Sequence, residues 1–167
     1  MPDQKTISKA RADKRAGKSP STQAGEFVHD EIDKIRQGEH GARSAKQAIA
    51  IGLSEARRAG VDLPPQKRGT TSERSRKSEE YAYEAGQGER GTTRRPKVAR
   101  AVKQALKRER RDTVSSADLS RQARSAASRR SASSRSAAAK KGAVTKGAAT
   151  RSAAARKAAR TRASKRK

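Results

Sequence analysis

The chain has no cysteine and no tryptophan, and its aromatic side chains are limited to Phe27, Tyr81 and Tyr83. Without cysteine, the chain can form no disulfide framework and offers no thiolate ligand to a metal ion. Proteins that read single strands or RNA loops stack bases on several aromatic rings. The scarcity of aromatic residues, none of which follows Tyr83, therefore argues against recognition by base stacking.

Large apolar side chains are also scarce. Leucine, isoleucine, valine and phenylalanine together make up only 16 of the 167 residues, so we expect one small folded module and no core along the whole chain. The longest apolar run, residues 48–53, is far too short to cross a bilayer. Residues 1–10 contain no apolar segment of the kind found in secretory signals. These features predict a cytoplasmic protein without a membrane span.

Positive charge is what the chain has in abundance. It carries 43 lysines and arginines against 17 aspartates and glutamates, a formal net charge of +26. The net charge rises along the chain, from +3 over residues 1–65 and +1 over residues 66–93 to +8 over residues 94–128 and +14 over residues 129–167. A cationic segment of this kind is the usual partner of a polyanion, and DNA and RNA are the abundant polyanions of a cell.

The last segment, residues 129–167, holds fourteen lysines and arginines, no acidic residue, and Val144 as its only large apolar side chain. Such a segment cannot bury enough surface to offset the entropy lost on ordering, so it is predicted to be disordered in water. Alanine has the highest helix propensity, but cations spaced along a free helix repel one another and suppress it. Bound phosphates would remove this repulsion, so a helix can form on binding. The tail is therefore predicted to be disordered or conditionally helical, and its composition resembles the C-terminal arms of linker histones.

Residues 1–65 are predicted to fold as a helical hairpin module. The first helix begins near Ser19 or Ser21, ends at Gly38, and carries one apolar stripe, formed by Phe27, Val28, Ile32 and Ile35. Ser44 and Gln47 match a capping box that starts the second helix, which Gly60 ends. Small residues on the second helix, Ala48, Gly52 and Ala56, allow close approach of the stripe. A shorter helix over about residues 6–16 is expected to precede the hairpin.

Residues 66–93 read as a polar, glycine-containing linker, with a short helix over residues 73–85. Residues 94–128 are predicted to form basic amphipathic helices, the first after Pro96 and the second capped by Ser115 or Ser116. Two short helices with a turn between them suggest a helix-turn-helix, which the long charged turn and the thin apolar stripes disfavour. The predicted fold class is therefore all-α: a short N-terminal hairpin, further short helices and the long basic tail.

The segment from Lys46 to Gly60 reads KQAIAIGLSEARRAG. It resembles a bacterial family of small, very basic, uncharacterised proteins that share a K-Q-A-I-A-I-A/G-L-S-E-A-R-K/R-A-G segment and are often labelled DNA-binding or histone-like. The resemblance covers about residues 19–65. It implies a bacterial source and a nucleoid or stress-related setting, and it supplies no active site.

The cationic half of the chain is predicted to bind nucleic acid through phosphate contacts, and so with little sequence preference. Duplex DNA is favoured over RNA because the cationic half contains no aromatic residue. The predicted nucleic-acid-binding residues are Arg94, Arg95, Lys97, Arg100, Lys103, Lys107, Arg108, Arg110, Arg111, Arg129, Arg130, Arg135, Lys140, Lys141, Lys146, Arg151, Arg156, Lys157, Arg160, Arg162, Lys165, Arg166 and Lys167.

Catalytic and metal-binding patterns are weak, and we predict no enzymatic activity, no small-molecule substrate, no cofactor and no metal. His29 is expected to pair with acids of its own helix. A metal site would need more ligands, and His29 and Asp33 provide only two. The first hairpin helix carries an acidic cluster, which comprises Glu26, Asp30, Glu31 and Asp33. We expect these side chains to be solvated in the N-terminal half of the helix, where carboxylates interact favourably with the helix dipole. A general acid–base pair and a dock for the cationic tail are the less favoured interpretations. Glycines at positions 86, 88 and 91 are spaced like a phosphate loop but follow no strand.

Three functions remain open from the sequence. The leading one is a histone-like, nucleoid-associated DNA-binding protein that acts by neutralising phosphates. The second is an RNA- or ribosome-associated basic protein. The third is an interaction module, in which the hairpin over residues 20–63 binds a protein partner or a second copy and the tail is a nonspecific polycationic anchor.

Overall fold

A computed structural model describes residues 3–89, 91 and 96–164, apart from the side chains of Thr145 and Lys146. These residues form helices and connecting turns, and no strand occurs among them. The elements are α1 (Gln4–Arg15), α2 (Pro20–Arg36), α3 (Ala45–Arg58), α4 (Glu73–Gly86), α5 (Pro96–Arg108), a 3-10 turn (Asp112–Val114), α6 (Ser116–Ser128) and α7 (Ala132–Ser164). The all-α prediction is confirmed. The chain divides into two compact units, Met1–Gln122 and Ala123–Lys167.

Helices α2 and α3 form the predicted hairpin. Pro20 occupies the first turn of α2, and Gly38, at φ +82°, follows its end in a backbone conformation that favours glycine. Ser44 caps α3 by accepting the N–H of Gln47 at 3.3 Å. The side chain of Gln47 reaches back to the N–H of Arg43 at 2.9 Å, one residue earlier than the capping box predicts.

The first unit contains two small hydrophobic clusters. Phe27 is fully buried and packs in the first cluster with Ala10, Ala24, Ala56 and Val61, so α1, α2 and α3 share it. Ile35 centres the second cluster, which also contains Ala42, Ala48 and Val114. Because Val114 belongs to the 3-10 turn, this cluster joins the basic half of the first unit to the hairpin.

The loop between α2 and α3 is bonded to the end of α5 and to the chain that follows it. The N–H of Gly41 donates to the carbonyl of Leu106 at 2.9 Å, and the N–H of Ala42 donates to the carbonyl of Arg110 at 2.8 Å. The hydroxyl of Thr113 donates to the carbonyl of Ala42 at 2.8 Å. A Cβ at Gly41 would overlap the carbonyl oxygen of Glu109, so glycine is required for this backbone contact.

Close approach of α2 and α3 depends on Gly52. A Cβ at that position would lie 2.7 Å from the Cα of Val28 and 3.0 Å from the carbonyl oxygen of Phe27. Both are backbone atoms that cannot move without shifting α2. The sequence prediction that small residues on α3 permit a tight hairpin is therefore confirmed at this position.

Replacing Gly52 with alanine should lower the free energy of unfolding by about 1–3 kcal/mol, the cost of overpacking a close contact. The matched control is Gly25→Ala in α2. Gly25 is exposed, and a Cβ added there would have no atom within 4 Å, so alanine should stabilise the helix by about 0.5–1 kcal/mol. Urea unfolding followed by circular dichroism measures both changes. Equal effects of the two substitutions would contradict the close contact at Gly52.

Helix α4 lies within the segment that the sequence suggests is a linker, and it packs on α3. Ala82 and Ala85 are buried, and a Cβ at Gly86 would overlap the carbonyl oxygen of Arg57. Arg57, only 5% exposed, donates to the carbonyl of Leu63 at 2.9 Å. Gly86 therefore serves helix packing rather than a phosphate loop.

The structure differs from the predicted disorder of residues 129–167. Residues Ala132–Ser164 form α7, with a break at Gly147, whose φ of +66° and ψ of +165° are not helical. Ser131 accepts the N–H of Ser134 at 3.2 Å at the start of the helix. The high helix propensity of alanine explains the helix, and its described side chains are exposed or only partly covered.

Candidate nucleic-acid interface

The cations of α5 lie on one side of the helix and its apolar residues on the other. Lys97, Arg100, Lys103, Lys107 and Arg108 are all exposed, and the helix from Pro96 to Arg108 contains no acidic residue. Its apolar side chains occupy the opposite arc, at Val98, Ala101, Val102, Ala105 and Leu106. The predicted amphipathic helix is therefore present, with a continuous cationic face that a row of phosphates can contact.

After α5, the two arginines of the turn differ in their surroundings. The guanidinium of Arg110 donates to both carboxylate oxygens of Asp112, at 3.0 and 2.5 Å. These hydrogen bonds raise the pKa of Arg110 and lower the pKa of Asp112. Arg111 is exposed and its side chain lies beside Gly38 of the hairpin. Arg110 thus has an anionic partner already, which an incoming phosphate would have to replace.

In the second unit, the candidate cations that the structure describes are exposed, and their segment contains no acidic side chain. Residues 129–164 contain no aspartate or glutamate. The exposed candidates here are Arg129, Arg130, Arg135, Lys140, Lys141, Arg151, Arg156, Lys157, Arg160 and Arg162. Their spacing distributes them around α7 rather than along one face, so this helix presents charge in every direction.

Several arginines of this unit bond to neutral groups of their own segment. The guanidinium of Arg130 donates to the hydroxyl of Ser134 at 3.1 and 3.2 Å, and Arg135 donates to the carbonyl of Arg130 at 2.7 Å. Arg151 donates to the carbonyl of Gly147 at 3.2 Å. All these bonds are exposed, and a charged phosphate is a stronger acceptor than a hydroxyl or carbonyl oxygen, so phosphate can replace these partners.

Five of the predicted binding residues lie outside the described residues: Arg94, Arg95, Lys165, Arg166 and Lys167. The side chain of Lys146 is likewise not described.

In residues 1–93, by contrast, carboxylates neutralise several of the cations. Lys18 bonds to Asp13 and Lys34 to Asp30, each at 2.6 Å. Arg76 bonds to Glu73 at 2.7 Å in α4. The net positive charge is therefore concentrated in residues 94–128, at +8, and in residues 129–167, at +14. Each of the two units thus has its own candidate cations: α5 and Arg111 in the first, and the exposed cations of residues 129–164 in the second.

One buried acidic site is not evident from the sequence, which places Glu31 in a solvated acidic cluster. The Glu31 side chain is 2% exposed and its Oε2 lies 3.6 Å from Nε2 of His40. Burial raises the pKa of Glu31 to about 7; His40 and Lys34 oppose the increase, and Glu55 and Asp30 add to it. Glu31 lies four residues after Phe27 and four before Ile35, and this helical spacing could have placed it on the buried stripe.

Glu31 should make the first unit less stable as the pH rises from about 4.5 to about 7. In that range the Glu31 carboxyl is ionised in the unfolded chain but still protonated in the folded unit. The burial of Glu31 therefore costs no stability below about pH 4.5, and the cost grows as the pH rises to about 7. Glu31→Gln should remove this dependence and stabilise the unit by roughly 1–3 kcal/mol above about pH 7. Urea unfolding at several pH values measures the effect.

Glu39→Gln is the matched control, because Glu39 is exposed in the loop just after α2. The control should keep the pH dependence of the unmodified chain. If Glu31→Gln lowered stability at every pH, the ionised carboxylate would be a stabilising partner of His40, contrary to this account.

Nothing in the described residues provides a metal centre. His29 lies 3.2 Å from Asp33 (Nδ1 to Oδ2), which confirms the predicted pairing within its own helix. No group of three or more potential ligands of the types His, Cys, Asp or Glu is placed to hold a metal ion within the part of the chain that the structure describes. In the same residues, no helix is both long and apolar enough to span a bilayer.

Comparison with known proteins gives one match. Residues 11–67 are similar to a family of unknown function, DUF6496. The matched segment begins within α1 and extends beyond α3, so it covers the hairpin and none of the candidate cations. No curated protein and no solved structure matches the chain.

Proposed function

We propose that this protein is a non-sequence-specific, histone-like DNA-binding protein of the bacterial nucleoid, which acts by neutralising phosphates. One observation carries the proposal: carboxylates nearly balance the cations of residues 1–93, whereas α5 and the described part of the second unit expose cations in segments that contain no aspartate or glutamate. A surface of this kind binds polyanions by releasing condensed counterions, and this term does not depend on base sequence.

The hairpin serves as the folded support of the interface. Its loop holds the segment after α5 through Gly41, Ala42 and the cluster around Ile35. The cationic face of α5 is thereby attached to a compact unit. Self-association through residues 20–63 stays a prediction; the apolar surface that the hairpin buries packs against α1, α4 and the 3-10 turn of the same chain.

Helix α7 fits the conditional helix expected of the tail. Its described side chains bury little surface, so packing contributes little to its stability, and closely spaced cations repel one another along it. Bound phosphates would relieve this repulsion. We therefore expect the helical content of the second unit to increase when DNA is added to the full chain.

Duplex DNA is preferred to RNA as the partner because the described cationic helices carry no aromatic side chain on which bases could stack. The test is crosslinking of the protein to nucleic acid in the cells that make it, followed by nuclease treatment and sequencing. We expect DNase to release the protein and the recovered DNA to be spread over the genome without a shared motif. Release by RNase alone would favour an RNA-associated protein, and a single recovered site would contradict nonspecific binding.

A further inference from the structure

Two ionisable side chains are buried together where the loop between α2 and α3 meets the hairpin. Glu31 of α2 is buried, and its Oε2 lies 3.6 Å from Nε2 of His40, whose side chain is 16% exposed. Oε1 of Glu31 is also buried and accepts no hydrogen bond from the described residues. The carboxyl is therefore held out of water with fewer hydrogen bonds than a buried ion needs.

The nearest charges do not compensate an ionised Glu31. Lys34 is already bonded to Asp30 at 2.6 Å, and the carboxyl of Glu55 on α3 adds a negative charge that acts on Glu31. Oε2 of Glu55 is buried as well and accepts no hydrogen bond within the part of the chain that the structure describes. A protonated His40 could therefore offset only one of the two carboxylates.

The charged side chains of the other elements packed against α2 are exposed. They are Lys5 and Lys9 of α1, which lie along the groove between α1 and α2, and, at the 3-10 turn, Asp112 with its partner Arg110 and its neighbour Arg111. Water and salt screen exposed charges, so these groups act weakly on the buried carboxyl. Burial is the dominant influence, and it raises the pKa of Glu31 to about 7.

His40 lies beside the residues that hold the end of α5. Its Nδ1 is 3.2 Å from the carbonyl oxygen of Gly41, and the amides of Gly41 and Ala42 donate to the end of α5 and to the chain that follows it. A loop that moves far enough to bring water to Glu31 must carry His40 and its neighbours away, so it would break these backbone bonds.

We propose that Glu31 and His40 form a pH-sensitive switch: when Glu31 ionises, the loop over residues 38–43 opens and releases the end of α5 from the hairpin. Hydration of the carboxylate, which the closed loop prevents, drives the opening. The closed loop binds the Glu31 proton more tightly than the open loop. Opening therefore becomes more frequent as the pH rises from about 4.5 to about 7 and levels off above that range.

The test is hydrogen exchange of the Gly41 and Ala42 amides in the full chain, followed by NMR and expressed as protection relative to an unstructured chain at the same pH. If Glu31 has a pKa of about 4.5 in the open loop and about 7 in the closed loop, protection should be about 40-fold lower at pH 7 than at pH 5. Low urea concentrations should leave this exchange unchanged. They should speed up exchange at Ala56, which lies in the first hydrophobic cluster.

Glu31→Gln should keep the protection of both amides at its pH 5 value when the pH is raised to 7, because the amide cannot ionise. Glu39→Gln is the matched control at an exposed position of the same loop and should show the full 40-fold or so change.

A second pair of variants checks that the two amides report on the loop. The Thr113 hydroxyl donates to the carbonyl of Ala42, so Thr113→Val should lower protection about fivefold at both pH values, the effect of losing one hydrogen bond, and should keep the pH dependence. Thr70→Val, the same change at an exposed threonine, should have no effect.

Three results would overturn the proposal. Equal protection at pH 5 and pH 7 in the unmodified chain would mean that ionisation does not open the loop. A pH dependence that persists in Glu31→Gln would assign it to another group. Exchange at Gly41 and Ala42 that rises with urea in parallel with Ala56 would mean that the loop opens only when the whole unit unfolds. None of these measurements includes DNA, so they stand or fall independently of the proposed function.

Discussion

Removing residues 129–167 should lower the affinity for duplex DNA by about 10⁴-fold at about 0.1 M salt. Each phosphate contact contributes about 0.9 log unit to the affinity at about 0.1 M salt, relative to about 1 M. We assign about five of the contacts to this segment, so their loss should cost roughly 4 log units of affinity. The truncated chain keeps the first unit, including α5, so residual binding should remain. Fluorescence anisotropy with a labelled duplex measures the loss.

The decisive control is a chain in which residues 129–167 are scrambled but retain their fourteen cations. Phosphate neutralisation depends on charge and not on order, so the scrambled chain should bind nearly as well as the unmodified one. If scrambling cost as much affinity as deletion, a specific arrangement on α7 would carry the binding, and charge neutralisation would be insufficient.

The second large effect should come from Phe27→Ala. Phe27 is the largest fully buried side chain of the first unit and lies in the cluster that α1, α2 and α3 share, so its removal should cost about 3–5 kcal/mol. A small domain has only about 5–15 kcal/mol of stability in total. Thermal unfolding followed by circular dichroism should therefore show the first unit melting at a much lower temperature.

Tyr81→Ala is the comparison for Phe27→Ala, since Tyr81 is 42% exposed and its loss should change stability far less. Both variants should retain most of the affinity for DNA because residues 129–167 hold fourteen of the 23 candidate binding cations. A loss of DNA affinity in Phe27→Ala as large as that caused by the tail deletion would place essential contacts on the hairpin.

The hairpin could be predicted from sequence because its signals are local. The stripe around Phe27 and Ile35, the glycine at position 38 and the serine cap at position 44 each specify a helix or its end without reference to distant residues. The helix boundaries agree closely with these signals. The helix predicted over residues 73–85 is present as α4.

Contacts between distant segments could not be predicted. Gly41 and Gly86 are required by backbone approaches to Glu109 and Arg57, and nothing in the neighbouring sequence indicates either partner. The joining of Val114 to the Ile35 cluster depends in the same way on a contact far along the chain. The buried Glu31 was misplaced because its charge was given more weight than its spacing from Phe27.

The candidate interface was predictable in composition but not in detail. Counting charges locates the cationic half, since no acidic residue follows Asp118. The bond from Arg110 to Asp112 required the structure, whereas the opposite faces of α5 followed from residue spacing in the sequence. For the tail, alanine propensity and charge repulsion oppose each other; the prediction of disorder gave more weight to the lack of a core and to repulsion, and the structure has a helix there instead.

The most direct test of phosphate neutralisation is the dependence of DNA affinity on salt for the full chain. With about 8–12 phosphates contacted, a plot of log K against log salt concentration should have a slope of about −7 to −11, and duplexes of different sequence should give the same line. A slope shallower than about −3, or affinities that differ strongly between sequences, would contradict the account.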